Sequence, residues 1–315
     1  MKLNLIKTSF VLFSAVLFGL TFGNQYKTNY VGSEKCVVCH NESHPENCRE
    51  WKNSPHHIGM TLISENKDIP GDFRKNSLFN KEDVKLFIGC KSGRYVYIGN
   101  NLEVLPLQWL KNDTVWAERK TSDASIGCLG CHSTGYYASF KKFVEPGIGC
   151  EACHGPGKKH ADTKGEIGTI VNPAKLSRDR NRMICGQCHS FGKDISGTYR
   201  FPVVYAGIDS STGGKILTPF QPGEDLTSAF VDAKPKAIES GYAYSLLIQA
   251  PEYYSKQLCT DCHAPHGKSE NPAMLIDASS ETCQKCHKNS IKDLATHWGA
   301  DKKPCWKCHK YAHTH

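Results

Sequence analysis

The chain is organised around the stretch Cys150-Glu151-Ala152-Cys153-His154-Gly155-Pro156-Gly157-Lys158-Lys159-His160. Its first five residues form Cys-x-x-Cys-His, the attachment signature of c-type haem. Two cysteines three positions apart lie on one helical turn, so both sulfurs reach neighbouring vinyl groups of one porphyrin and the histidine faces the iron. Gly155-Pro156-Gly157 ends the turn because proline cannot continue a helix. This turn presents His160 to an iron, either its own or a neighbour's.

The same motif occurs seven times and uses fourteen of the sixteen cysteines. A structural zinc site needs no histidine after each cysteine pair, and a thioredoxin-type dithiol would occur once. The pattern therefore predicts seven covalently bound haems c. The motifs are Cys36/Cys39/His40, Cys128/Cys131/His132, Cys150/Cys153/His154, Cys185/Cys188/His189, Cys259/Cys262/His263, Cys283/Cys286/His287 and Cys305/Cys308/His309.

Composition bounds the fold class. The chain has 315 residues, of which 39% are hydrophobic, to surround seven haems. We expect a mainly α and irregular multihaem cytochrome c with a thin protein shell around a haem chain. Much of its stability would then come from cofactor ligation and burial.

Residues 1–23 resemble a secretory signal peptide. Lys2 and Lys7 precede an apolar run from Ser9 to Phe22, and the run ends at small residues near Gly23. An uncleaved membrane anchor is the alternative, although the run is shorter than the roughly 20 residues of a spanning helix. We predict a mature chain without a membrane span, exported to the periplasm or the cell exterior, where haem attachment of this kind takes place.

The net charge of +8 is typical of some nucleic-acid-binding proteins. No block of five basic residues occurs, however, and the propionates of seven haems would make the holoprotein negative. We therefore expect no nucleic-acid partner. The lysines are better suited to pair with propionates and to keep the surface soluble.

Motif spacing divides the mature chain into three parts: a one-haem region with a small β element over 24–125, a three-haem region over 126–235 and a second three-haem region over 236–315. Residues 94–98 and 102–105 flank Gly99-Asn100-Asn101 and predict a β-hairpin. One short strand is predicted at 201–205 and a helix at 241–257. Trp109 and Trp116 are expected to pack against haem or sheet.

Eight histidines remain outside the motifs, close to the number needed as sixth ligands of seven low-spin irons. This near match favours mostly bis-histidine coordination, which lowers reduction potential relative to histidine–methionine ligation. One of His56 and His57 is predicted as a ligand. Met60, Met183 and Met274 are expected to be packing residues. The favoured distal ligands are His56, His160, His266, His297 and His313, and the weaker candidates are His44, His57 and His315.

Two local questions stay open. The interval 161–262 has no spare histidine, so the sixth ligand of the His189 iron must come from elsewhere or be absent. This haem is the candidate for an open iron. Cys48 and Cys90 belong to no motif, and in an oxidising compartment a disulfide between them is plausible, with free buried thiols as the alternative.

Several segments resemble the multihaem cytochromes of the cytochrome c-554/c-prime type and their doubled C-x-x-C-H relatives. They are Trp51-x-x-Ser54-x-His56, Leu105-Pro106-Leu107-x-Trp109, Cys128-Leu-Gly-Cys-His-Ser-Thr-Gly-Tyr136, Cys150 to His160, Asn172-Pro173-Ala-Lys-Leu176, Cys185-Gly-Gln-Cys-His-Ser190 and Cys259 to Gly267. The resemblance implies an exported electron carrier with stacked and perpendicular haem pairs, and with His56 and His160 as distal ligands. The namesake has fewer haems, so its stacking pattern cannot be transferred.

The leading functional hypothesis is an electron carrier that serves redox protein partners: a quinol-oxidising complex, a terminal reductase or other cytochromes. Low-spin irons with six ligands move electrons but bind no substrate. An alternative is a multihaem oxidoreductase of the nitrite or hydroxylamine type, which needs one open haem. A second alternative is a subunit of an extracellular haem filament, in which His313 or His315 would ligate a haem across an interface.

Overall fold

The computed structural model describes residues 28–63, 68–89, 93–233, 242–249, 256–268 and 274–276. Five of the seven attachment motifs fall within these ranges. Within the described ranges no helix is long and apolar enough to cross a membrane.

Some of the sequence predictions lie outside the described residues and stay predictions. They concern the signal peptide over 1–23, Cys90 as a disulfide partner, and the last two haem attachment motifs. Three of the eight candidate distal histidines fall there as well. The residues of these motifs and candidates are Cys283, Cys286 and His287 of the sixth motif, Cys305, Cys308 and His309 of the seventh, and His297, His313 and His315.

Short helices carry four of the described attachment motifs. The helices are α1 (Ser33–Ser43), α2 (Pro45–Asn53), α3 (Pro55–Ile58), α4 (Ala124–Gly127), α5 (Leu129–His132), α6 (Cys150–His154), α7 (Lys158–Asp162), α8 (Arg178–His189) and α9 (Ala243–Ile248). Proline at N1 starts α2 and α3, and serine at the N-cap starts α3 and α8 with a side-chain hydrogen bond. The fifth motif begins in a 3-10 helix, Cys259–Asp261.

A five-stranded antiparallel sheet fills the interval between the first two motifs. Its strands follow one another in chain order as β1 (Met60–Leu62), β2 (Val84–Ile88), β3 (Arg94–Gly99), β4 (Val104–Leu110) and β5 (Val115–Glu118). Each strand pairs with the next, and β3 pairs with β4 from Arg94↔Leu110 to Ile98↔Val104. The predicted hairpin is therefore present, and it forms the middle of a larger sheet.

The sheet buries both of its faces. One face places Leu86, Ile98 and Val104 in a core that also holds Leu129 and Phe201, beside the second attachment motif. The other face carries an aromatic core of its own, in which the rings of Trp109 and Trp116 lie 5.3 Å apart. Neither tryptophan lines the haem cavity described below, so both pack against the sheet.

The expectation of a mainly α and irregular shell is only partly correct. Three two-stranded sheets accompany the five-stranded one: β6 (Ser133–Thr134) with β7 (Glu145–Pro146), β8 (Gly192–Asp194) with β11 (Phe230–Asp232), and β9 (Val203–Ile208) with β10 (Lys215–Pro219). The strand predicted at 201–205 overlaps β9 at residues 203–205. Alternating β-branched and aromatic residues favour strands wherever a haem motif does not impose a helical turn. A helix is predicted over 241–257, and within the described residues of this range the helix observed is α9, Ala243–Ile248.

Candidate haem centres

One continuous cavity runs through the structure. Its volume is about 4010 Å³, several times the roughly 300–1,000 Å³ of an ordinary ligand pocket. All five described motifs line it with both cysteines and the histidine. A cavity of this size, walled by repeated cysteine and histidine pairs, fits several porphyrins and no single small ligand.

The third motif is fixed by a fully buried carboxylate. Glu151 lies between Cys150 and Cys153 on α6 and accepts hydrogen bonds from the backbone N–H groups of Val31, Gly32 and Gly157 at 2.9, 2.7 and 2.6 Å. An ionised carboxylate makes strong hydrogen bonds to backbone donors. Glu151 therefore holds two segments against α6: the extended residues that precede α1 and the turn that follows the third motif.

A second carboxylate joins α1 to the same motif. The Ser33 hydroxyl donates to Glu145 Oε1 at 2.7 Å, and Ser33 N–H donates to Oε2 at 3.0 Å. The N–H of Cys150 in turn donates to the Ser33 hydroxyl at 2.9 Å. Burial raises the pKa of Glu145, while the hydrogen bonds from Ser33 oppose this shift. The first and third attachment helices are thereby held side by side.

The sulfur atoms show which attachment points are neighbours. The thiols of Cys36 and Cys150 are hydrogen-bonded to each other, which connects motifs one and three. Similar contacts join Cys131 to Cys188 and Cys185 to Cys259, the latter two in motifs four and five. Motif four thus adjoins both motif two and motif five.

Burial also determines the charge of these sulfurs. It raises the pKa of the Cys128 thiol and takes that of Cys153 to about 12. A thiolate is therefore disfavoured at either position, whereas the neutral thioether of haem c suits such surroundings.

Among the described residues, three pairs of histidine rings face each other across the cavity at the same distance. Ring centroids lie 6.3 Å apart in each pair, with interplanar angles of 16°, 4° and 57°; the pairs are His40–His160, His154–His266 and His56–His189. Metal–imidazole bonds of about 2.0–2.1 Å place the centroids of two axial rings roughly 6.4 Å apart. Each pair therefore has the separation that one iron between two imidazoles requires.

Hydrogen bonds orient these rings. His154 Nδ1 donates to the Val171 carbonyl at 2.9 Å, and His160 Nδ1 lies 3.1 Å from Thr169 Oγ1. The His56 ring is hydrogen-bonded to the carbonyl of Pro265. A hydrogen bond to one ring nitrogen fixes the orientation of the imidazole and leaves the other ring nitrogen available to bind a metal.

Burial favours the neutral imidazole that a metal needs. It lowers the pKa of His40, His56 and His266, and nearby histidines lower each of these values further. At His132 burial alone lowers the pKa to about 4. All four rings are therefore neutral at pH 7 and offer a lone pair to iron.

The remaining candidates for axial ligands lie in different surroundings. His57 packs on Trp51, with ring centroids 4.2 Å apart, and does not line the cavity; of this adjacent pair, only His56 does so. His44 is exposed beside Ser43, yet it lines the cavity, and its ring centroid lies 5.7 Å from that of His40. Met60 and Met183 pack in apolar clusters, whereas Met274 lines the cavity near the fifth motif.

His132 differs from the paired histidines. Among the described residues no histidine ring lies opposite it, and no histidine charge contributes to its pKa. By contrast, His189, which the sequence left without a nearby partner, faces His56. A histidine ring thus faces that of the fourth motif, the sequence's candidate for an open iron, whereas the candidate distal ligands His297, His313 and His315 lie outside the described residues.

Sequence reasoning missed the residues that hold the motifs together. Glu145, Glu151 and Ser33 belong to no recognisable sequence motif. The hydrogen bonds that tie the N-terminal segment to Glu145 and Glu151 join residues more than a hundred positions apart. The ring partnerships were missed for the same reason. His160 lies near the third motif in sequence but faces the histidine of the first.

Two family models match parts of the chain. Residues 108–155 match the model described as cytochrome c554 and c-prime, and residues 253–292 match the doubled CXXCH motif. The second segment contains the fifth motif and, beyond the described residues, the sixth motif of Cys283, Cys286 and His287. The resemblance seen in the sequence is thereby confirmed for these segments. No curated protein sequence matches the chain.

The chain is similar to three solved multihaem proteins, and the first of them shares its fold. The crystal structure of outer cell wall cytochrome OcwA superposes with a TM-score of 0.62 at 23% identity, covering 82% of this chain and 67% of OcwA. An undecaheme cytochrome from the S-layer of Carboxydothermus ferrireducens gives 0.49 at 21% identity, covering 82% of this chain and 42% of that one. The Wolinella succinogenes octaheme sulfite reductase MccA gives 0.48 at 16%, covering 87% and 53%. The chain spans about half the length of these two proteins.

Motifs, cavity and fold agree with one another. The cysteine and histidine repeats line a cavity of the right size, the second motif lies in the matched c554 segment, and the fold is shared with OcwA. The chain is a haem c-binding protein with the fold of a multihaem cytochrome.

Proposed function

We propose that this protein is an exported seven-haem cytochrome that transfers electrons between respiratory partners through mostly bis-histidine irons. The observation that carries the proposal is the set of three histidine pairs, each at 6.3 Å across the cavity. Haem c with two axial imidazoles supplies reversible one-electron chemistry at low potential. Iron held in this way has no coordination position left for a substrate.

The chain's own residues keep the attachment points close. The sulfur contacts link motif one to three and motif four to both two and five, so haems attached at these cysteines would be close neighbours. The carboxylates of Glu145 and Glu151 fix the first of these contacts. Rigid, closely spaced sites are what an electron carrier needs.

The partners that fit this function are redox proteins: a quinol-oxidising complex, a terminal reductase or other cytochromes. The predicted signal peptide supports a periplasmic or extracellular location. The similar fold of OcwA, an outer cell wall cytochrome by its name, agrees with that location.

Intact mass and low-temperature paramagnetic resonance test this proposal together. The exported protein should begin near Asn24 and carry the mass of seven haems, and its spectrum should be almost wholly low-spin. A mass equal to six haems or fewer would contradict the haem count. Several high-spin irons would contradict the electron-carrier function.

A second candidate function rests on His132. A haem attached at Cys128 and Cys131 would have this buried ring on one side and no described histidine on the other. One open iron would allow a multihaem oxidoreductase of the nitrite or hydroxylamine type. Carbon monoxide binding to one reduced haem, together with turnover of nitrite or hydroxylamine, would favour this function; binding without turnover would leave the electron carrier standing.

A further inference from the structure

Three charged side chains are buried in the described part of the chain, and two of them lie where attachment segments meet. Glu151 is 0% exposed and lies inside the third motif, whereas Arg182 is 1% exposed and lies on α8, three residues before Cys185 of the fourth motif. The third, Asp194, accepts hydrogen bonds from N–H groups two, four and five residues further along its own turn. Opposite charges are therefore buried at different attachment motifs.

Glu151 places a negative charge where the first and third motif segments meet. Its carboxylate accepts hydrogen bonds from the backbone N–H groups of Val31, Gly32 and Gly157. An ionised carboxylate is an acceptor only, so a set of partners that all donate favours the ionised form. Among the described residues no lysine or arginine forms an ion pair with Glu151. The field at this contact is therefore negative.

Arg182 places a positive charge where the fourth and fifth motif segments meet. Its Nε donates to the Gln257 carbonyl at 2.6 Å, two residues before Cys259, and its Nη1 donates to Asp179 Oδ1 at 2.9 Å. The Asp179 side chain is 63% exposed, so water screens this carboxylate more than it screens the buried guanidinium. Arg182 does not line the haem cavity, so the propionate of a haem in that cavity would not pair with it. The field at this contact is therefore positive.

A hydrogen bond between two attachment helices connects these oppositely charged contacts. Gln187 lies between the cysteines of the fourth motif, and its Nε2 donates at 2.9 Å to the carbonyl of Ala152, which lies between the cysteines of the third. The third motif is tied to the first segment through Glu151, and the fourth is tied to the fifth through Arg182. The attachment segments therefore follow one another in space in the order one, three, four and five.

A buried charge shifts the reduction potential of a nearby haem. Reduction adds one electron, so a negative charge lowers the potential and a positive charge raises it. Helices rise by about 1.5 Å per residue, which places Glu151 about 4.5 Å and Arg182 about 10 Å along the helix axis from the histidine of the same motif. At an effective dielectric constant of about 20, a unit charge about 10 Å away changes the equilibrium between two haems by about tenfold.

We propose that Glu151 and Arg182 set the direction of electron transfer, from lower-potential haems at the first and third motifs to higher-potential haems at the fourth and fifth. This inference rests on the electron-carrier function proposed above and adds a direction to it. Each transfer oxidises one ferrous haem and reduces its ferric neighbour, so no further reactant is needed. Both side chains are positioning residues, because they act through the charge that they hold between attachment segments.

Redox titration of the haem-loaded protein, followed by low-temperature paramagnetic resonance, tests the order of the potentials. The resonance of a low-spin ferric haem depends on the angle between its two imidazole planes, which is 57° for His56–His189 but 16° and 4° for the pairs at the first and third motifs. His56→Ala, His160→Ala and His266→Ala each remove one of these signals and so assign it. On reduction, the signal of the tilted pair should disappear at a higher potential than the signals of the two near-parallel pairs. The reverse order would overturn the inference.

Charge variants test the cause of this order. Arg182→Gln should lower the midpoint potential of the haem with the tilted pair by about 59 mV, which is a tenfold change for one electron. Arg182→Lys should keep that potential, because it keeps the charge. Glu151→Gln should raise the potentials of the two near-parallel pairs. Asp179→Asn should raise the potential of the tilted pair by a smaller amount, because it removes the exposed counter-charge of Arg182.

Arg180→Gln is the matched control. Arg180 lies on the same helix, and its Nη2 is 3.3 Å from Asp225 Oδ2, so its loss should shift neither group of potentials. If Arg182→Gln and Glu151→Gln load as many haems as the wild-type protein and do not shift potentials in opposite directions, this inference fails and the carrier function stands. Mostly high-spin irons in the wild-type protein would instead contradict the carrier function. If either variant fails to load haem, Asp179→Asn decides, and an unchanged or lowered potential would overturn the inference.

Discussion

His56 and His189 face each other with ring centroids 6.3 Å apart, although they belong to the first and fourth attachment segments. The His56 ring is also hydrogen-bonded to the carbonyl of Pro265, which lies beside the fifth motif. One short helix, α3, thereby connects three haem segments. Loss of this single ring would disturb haem segments beyond its own.

Replacement of His56 tests this relationship directly. His56→Ala should convert the haem of the fourth motif from low-spin to high-spin, because the iron loses its sixth ligand, and should add one equivalent of carbon monoxide binding. His57→Ala is the control, since His57 packs on Trp51 and does not line the cavity. Equal effects of the two substitutions would show that the ligand is wrongly assigned.

Glu151 is predicted to be a major determinant of stability. Its fully buried carboxylate accepts three backbone hydrogen bonds, so Glu151→Ala should lower the free energy of unfolding by about 2–4 kcal/mol. Denaturant unfolding monitored by circular dichroism measures the change. The exposed Glu166 provides the control, and Glu166→Gln should change stability by less than about 0.5 kcal/mol. A loss at Glu151 no larger than this would contradict the prediction.

Glu145 should make stability depend on pH. Burial raises its pKa above the ordinary 4.5, so the folded state binds the proton more tightly than the unfolded state does. The resulting contribution to stability is fully present below pH 4.5 and is lost as pH rises through the raised value. Glu145→Gln should therefore gain stability relative to the wild-type protein as pH increases over this window.

Thermal unfolding at a series of pH values measures this difference. The exposed Glu42 on α1 supplies a matched variant, Glu42→Gln, whose difference from the wild-type protein should stay flat. A difference for Glu145→Gln that shrinks with rising pH would have the wrong sign for a buried carboxyl.

The predicted disulfide between Cys48 and Cys90 remains a prediction. Cys48 is buried and lines the cavity, whereas Cys90 lies outside the described residues. Closing this loop would stabilise the fold by about 3–4 kcal/mol. Alkylation of the denatured, unreduced protein should label neither cysteine; recovery of two labelled thiols would refute the bond.

The sequence by itself determined the chemistry. Cys-x-x-Cys-His is a local pattern, because one helical turn places both sulfurs and the imidazole on the same porphyrin. Haem attachment, the helical motif segments and the hairpin at 94–105 were therefore readable from neighbouring residues. The full extent of the sheet could not be predicted from neighbouring residues, because β1 and β5 are short and are held in place by pairing with β2 and β4.

Only the tertiary structure decided which histidine faces which. A sixth ligand needs to be near an iron in space and has no required distance in sequence, so His160 could serve its own motif or another. The fold places it opposite His40, sets His266 opposite His154, and brings His56 to His189. The buried carboxylates of Glu145 and Glu151 hold the first and third motif segments together through hydrogen bonds to distant backbone groups, and no local sequence pattern specifies these partners.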